Sequence, residues 1–92
     1  MAEDSYDIRI KVISQKGTCA AGHKVGDEWV ISGKEFKTPP DICLYVFGSL
    51  YPVIMALKYG ATFPWAADPD AVPSACPDPD NPVVIEVKRL PK

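Results

Sequence analysis

Four side chains in this 92-residue sequence bring metal or redox chemistry within reach: Cys19, Cys43, Cys76 and the chain's only histidine, His23. Cys19 and His23 lie four residues apart in a glycine-rich stretch, Gly17-Thr-Cys-Ala-Ala-Gly-His23. Cys43 follows Pro39-Pro-Asp-Ile where a helix is expected to begin, and Cys76 precedes Pro77 in a run rich in proline and aspartate. The thiolate is the nucleophile and the metal ligand, and it is favoured beside free backbone N–H groups and the positive end of a helix dipole. Three loops or element ends could bring three sulfurs to one point.

Most structural zinc sites carry a close Cys-x2-4-Cys pair, and none is present. Single ligands on separate elements can still assemble a centre, and two species fit the inventory. One is a [4Fe-4S] cluster held by Cys19, Cys43 and Cys76, its fourth iron open or bound by His23 or an exogenous ligand. The other is a closed tetrahedral Cys3His zinc that uses each of the four residues once. Cys76-Pro77 resembles the Cys-Pro ending of some iron–sulfur ligand runs, where proline removes a competing donor and turns the chain away. Against both stands a plainer reading, because free cysteine is among the most buried residue types and packs as a small hydrophobe. Cys43, between Ile42 and Leu44, suits that reading best and Cys76 least. For His23 the plain alternative is a loop histidine that caps a turn or faces solvent.

An odd cysteine count argues against a disulfide framework, so an intracellular, cytoplasmic protein is expected. The acidic start Met1-Ala-Glu-Asp-Ser-Tyr-Asp predicts no secretory signal. Ile42 to Ala56 is the longest apolar-rich stretch, and Gly48, Ser49 and Pro52 interrupt it, so no membrane span is predicted. A formal charge of -2, without a Lys/Arg cluster, makes nucleic acid an unexpected partner. An apolar fraction of 47% with 24% charged residues is ordinary for one globular domain spanning residues 1–92. Ten prolines are the compositional outlier and suit long connections held in fixed shapes. Asp68-Pro-Asp70 and Asp78-Pro-Asp80 pair carboxylates without the rest of a calcium loop and read as turns. Trp29, Tyr45, Tyr51, Phe63 and Trp65 suffice to line a pocket, and Tyr51 and Trp29 are also ordinary core candidates. No phosphate loop, Ser-His-Asp set or dinucleotide fingerprint is present.

The elements that must position these residues follow from periodicity. Tyr6, Ile8, Ile10 and Val12 alternate with polar residues and predict a strand with one wet face. Trp29-Val-Ile31 predicts a second strand, antiparallel to the first and joined to it by the Cys-His loop. Residues 34–40 read as a connection in which Phe36 packs inward. A broken helix is predicted over about 41–59: Asp41 caps its first part, Gly48 weakens it, and Ser49 caps a second part with Pro52 in the first turn. Leu50, Val53, Ile54 and Leu57 give that part an apolar face, and Gly60 ends it. Six prolines between residues 61 and 82 predict a long loop without regular structure, anchored by Phe63, Trp65 and Val72. Val83 to Arg89 alternates again and predicts the last strand. The expected fold is α+β, with about three strands in an antiparallel or mixed sheet and the helix on one face.

Gly17-Thr-Cys-Ala-Ala-Gly-His-Lys-Val-Gly-Asp-Glu28, Asp41-Ile-Cys-Leu44, Leu50-Tyr-Pro-Val-Ile-Met-Ala-Leu57, Phe63-Pro-Trp65 and Ala75-Cys-Pro-Asp-Pro-Asp-Asn-Pro-Val83 together resemble a family of short, uncharacterised proteins found mostly in anaerobic bacteria and archaea. The likeness covers nearly the whole chain. It implies cysteines in common at Cys19, Cys43 and Cys76 and, through an anaerobic setting, favours an oxygen-sensitive cluster over zinc. It implies no activity. Three functions follow: a small metal protein, iron–sulfur first, that transfers electrons or serves a partner enzyme; a small metalloenzyme with an open position and His23 as acid or base; or a metal-free thiol or interaction module. Exposed aromatics in proline-rich loops would also suit a homo-oligomer interface.

Overall fold

The computed structural model describes residues 5–17, 22–34, 38–76 and 80–91. Cys19, Phe36, Pro77 and Asp78 lie outside them. Within these bounds the elements run β1 (Ile8–Gln15), β2 (Glu28–Ile31), α1 (Leu44–Lys58), β3 (Ala71–Ala75) and β4 (Val83–Arg89). The strands form one antiparallel sheet in the order β2-β1-β4-β3, and α1 packs across one face. The fold is therefore a small α+β domain with four strands, one more than the sequence predicts.

Alternation builds the core. Ile8, Ile10 and Val12 of β1 and Val83, Ile85 and Val87 of β4 are fully buried beneath α1, whose Val46, Leu50, Ile54 and Leu57 close the layer. The β1–β4 register slips between Val12 and Ser14, leaving Ile13 as the extra residue of a β-bulge. The slip changes parity: Ser14 pairs with Val84 on the outer face and Gln15 with buried Val83 on the inner one. Ile13 is consequently 44% exposed although its neighbour Val12 is sealed. The outer face is polar, with Arg9 donating to Glu86 at 3.1 Å.

Two expectations about proline are corrected. First, α1 is one continuous helix from Leu44 to Lys58, with Pro52 inside it and Cys43 as its N-cap residue. Asp41 sits two residues earlier at φ 65 and is not the cap. An internal proline costs about 3 kcal/mol and interior glycine about 1. Burying Val46, Leu50, Ile54 and Leu57 is worth roughly 1.5–3 kcal/mol each, so packing outweighs the local penalty. Pro52 and Gly48, the residue whose carbonyl it leaves unpaired, are both exposed, so water can serve that carbonyl. Secondly, residues 61–82 contain a strand, β3, with Pro73 in its middle. Its ladder bonds fall on Asp70, whose carbonyl accepts from Arg89 N–H at 2.7 Å, and on Cys76, which donates to Val83 at 2.9 Å. Even-numbered residues thus face β4 and odd-numbered ones turn their N–H outward. Pro73 stands on an edge strand at an odd position, where a missing donor costs no bond.

Both ends of the 44–70 segment are fixed by backbone chemistry. Gly60 (φ 90) donates to Leu57 at 3.2 Å and Ala61 to Ala56 at 2.9 Å, the paired bonds of a Schellman stop. Beyond it Arg89, which occupies the inward parity of β4 and is only 7% exposed, spends all five of its N–H donors. Nε and Nη2 reach Asp70 Oδ1 at 3.1 and 3.0 Å, Nη1 reaches the Leu57 and Ala61 carbonyls at 3.1 and 2.9 Å, and Nη2 reaches the Pro69 carbonyl at 3.1 Å. Its guanidinium also lies 5.0 Å from the Tyr6 ring centroid.

Removing this buried cation takes the side-chain donors from the Ala61 and Pro69 carbonyls, leaves the Leu57 carbonyl only its backbone donors and breaks the pair with Asp70, so Arg89→Met is expected to lower the unfolding free energy by about 3 kcal/mol. Arg89→Lys keeps the charge but loses the fork, with an expected loss of about 2 kcal/mol. Asp70→Asn, at a half-exposed carboxylate, should cost under about 1 kcal/mol. Urea titrations of the three variants check this order, and an Asp70 variant as damaging as Arg89→Met would contradict it.

Candidate functional site

Topology decides where the cysteines lie. Tyr6 N–H donates to the Lys58 carbonyl at 2.9 Å, which pins the C-terminus of α1 to the start of β1. The helix runs back along the sheet, so its N-terminus reaches the opposite end, where β1 and β3 finish and β4 begins. Cys43 is at that helix start and Cys76 immediately follows β3. Gly17, two residues from Cys19, abuts the segment before β4: it takes φ 71, and a Cβ there would run into the Asn81 side-chain oxygen. Lys16 N–H donates to the Pro82 carbonyl at 3.0 Å beside it. Cys19 itself is outside the described residues.

Cys43 and Cys76 are free thiols, each half-buried and packed against the rim of the apolar core. Ser49 marks their relative level. Rather than capping a second helix, its hydroxyl donates to the Ala75 carbonyl at 2.6 Å and lies 3.5 Å from Ser74 Oγ. Cys43 precedes Ser49 by six helical positions, about 9 Å along the axis. Cys76 lies one strand residue, about 3.3 Å, past Ala75 in the same direction. Both sulfurs therefore belong to one end of the domain, at different heights.

His23 is held more firmly than a loop histidine. It is 6% exposed, stands edge-on to Trp29 at 5.0 Å between ring centroids, and its Nε2 accepts the Cys43 N–H at 2.9 Å. This serves one N–H at the N-terminus of α1 from outside, where Cys43 makes no side-chain cap bond and no acidic residue occupies the first turn. With Nε2 accepting, a neutral imidazole carries its proton on Nδ1. That nitrogen is 3.9 Å from Asp27 Oδ2, too far for a hydrogen bond. Asp27 Oδ2 instead accepts the Lys24 N–H at 3.1 Å. In this arrangement neither imidazole nitrogen offers a lone pair to a metal, and His23 could become a fourth ligand only by releasing Cys43.

Among the described residues, no three of His, Cys, Asp and Glu come close enough together to hold a metal ion. The acidic residues serve turns: Asp68 Oδ1 accepts the Asp70 N–H at 2.9 Å, and Asp70 pairs with Arg89. No helix among the described residues is long and apolar enough to cross a membrane. The residues missed by pattern reading are Trp29 as a strut, its Nε1 donating to the Pro40 carbonyl at 3.1 Å, and Ser49 as a helix-to-sheet tie. Neither contact leaves a periodic trace. No family model, curated protein or solved structure matches the chain.

His23→Ala is expected to lose about 1–2 kcal/mol of stability, the value of a helix-cap bond plus a small cavity. Its specific mark is at Cys43, whose amide should exchange with solvent markedly faster while the Ile54 amide keeps its protection relative to global unfolding. Unchanged exchange at Cys43 would show that the imidazole does not hold the helix start.

Proposed function

We propose that the end of the domain where α1 begins and β3 finishes binds a metal centre through Cys19, Cys43 and Cys76, an iron–sulfur cluster in preference to zinc. The observation that carries this reading is the gathering of two free thiols, Cys43 and Cys76, at the end from which the Cys19 loop departs. Three thiolates on separate elements are a soft donor set, suited to iron–sulfur or zinc and poorly suited to magnesium or calcium. Cys43 stands as the N-cap residue of a helix without a first-turn acid. A bound cluster would supply one-electron transfer or an open iron for a partner enzyme. His23 acts as a positioning residue that fixes the backbone of Cys43.

One observation favours a second reading. Cys43 and Cys76 both pack against the apolar cluster, as cysteines acting as small hydrophobes do. A metal-free protein with a helix-capping thiol would then remain, acting as a thiol or interaction module.

Cys→Ser exchange separates the two. On the metal reading, Cys19→Ser, Cys43→Ser and Cys76→Ser each remove most of the bound metal from anaerobically purified protein, and the three losses are alike. Metal content that ignores Cys19→Ser, or thiols that stay fully reactive toward a thiol reagent in the folded protein, would sink the shared centre.

A further inference from the structure

Two concavities meet at Asp41 beside the start of α1. One, of about 400 Å³, is walled by Pro39, Pro40, Ile42, Leu44 and Phe47, with Thr38 and Asp41 at its polar side. The other, of about 330 Å³, is lined by His23, Asp27, Glu28, Trp29 and Asp41. The first is a trench of mixed lining with an apolar wall, the second carries three carboxylates, and among the described residues no lysine or arginine lines either. We propose that together they form a docking groove for a partner polypeptide segment that places a large apolar side chain next to a lysine or arginine.

The surface is apolar where a lone domain would carry charge. Leu44 is 81% exposed and Tyr45 70%, and α1 has no charged residue before Lys58. A helix of that composition is ordinarily covered on all sides. Charge complementarity selects the occupant. The carboxylates of Asp27, Glu28 and Asp41 repel phosphate, anionic lipid and acidic peptides, and they attract an ammonium or guanidinium group. The exposed part of the Trp29 indole offers such a cation an aromatic surface. A simple polyamine would leave the trench between Pro40 and Phe47 empty, whereas a side chain such as leucine or phenylalanine fills it. The groove is also preformed: Trp29 Nε1–H holds the Pro40 carbonyl at 3.1 Å, and adjacent prolines stiffen the wall, which lowers the entropic cost of binding. This inference is independent of whether a metal occupies the cysteine end.

The test uses the full chain, ¹⁵N-labelled, titrated with two capped tetrapeptides, Gly-Phe-Lys-Gly and Gly-Phe-Glu-Gly, with and without added iron or zinc. The lysine peptide is expected to shift the Trp29 indole N–H and the Leu44 and Phe47 amides and to bind about tenfold more tightly than the glutamate peptide. Asp41→Asn, a residue type that tolerates positive φ, should weaken the lysine peptide about threefold without disturbing the fold. Leu44→Ser should weaken both peptides. Equal binding of the two peptides, or shifts confined to other surfaces, would overturn the proposal. So would sedimentation showing a dimer that Leu44→Ser dissociates, since a second copy would then be the occupant.

Discussion

The polar ends of α1 set the terms for the rest of the molecule. A helix that lies across a four-stranded sheet must satisfy its terminal N–H and C=O groups, and here much of that task falls to side chains from the sheet and its loops. At the C-terminal end Arg89 of β4 donates to the Leu57 and Ala61 carbonyls. At the N-terminal end His23, from the β1–β2 connection, accepts the Cys43 N–H. Between these two clamps the helix contributes packing and one polar tie, the Ser49 hydroxyl on the Ala75 carbonyl, and together they are enough to carry a glycine and a proline in its interior. The clamps also fix its direction, which delivers Cys43 to the sheet end where Cys76 emerges.

The elements that were legible in sequence were those whose period is simple. β1 and β4 are read from alternation and β2 from a β-branched and aromatic run, and all three lie within about three residues of those readings. The helix face was legible through Leu50, Ile54 and Leu57, and its stop through Gly60. Proline misled twice because its local cost was read without its environment. At Pro52 the unpaired carbonyl faces water, and at Pro73 the missing N–H points away from the partner strand. Arg89 left a readable sign: it continues the odd-numbered inward parity of Val83, Ile85 and Val87, which places a cation in the core and demands acceptors there. The His23–Cys43 bond had no such sign, because it joins residues 20 apart through a contact that only the packed fold creates.

For the candidate site, sequence and structure speak to different aspects. The residue types name the chemistry, and the topology brings Cys43 and Cys76 to the same end of the domain. The geometry changes the role proposed for the histidine. A nitrogen that accepts a backbone N–H has no lone pair left for iron or zinc, so a three-thiolate centre agrees better with the fold than a Cys3His one. The trench and acidic cleft beside Cys43 lie on the same end of the domain, where a partner could approach such a centre.

The measurement that tests the metal reading most directly is the iron, zinc and acid-labile sulfide content of the full chain purified without oxygen, read beside its visible spectrum. About four irons and four sulfides per chain with a broad brown absorbance is the expected result, following the ligation chemistry of that cluster type. One zinc and no colour would move the centre to a closed tetrahedral site and require His23 to let go of Cys43. Absence of any metal, with all three thiols titratable in the folded protein, would contradict the account.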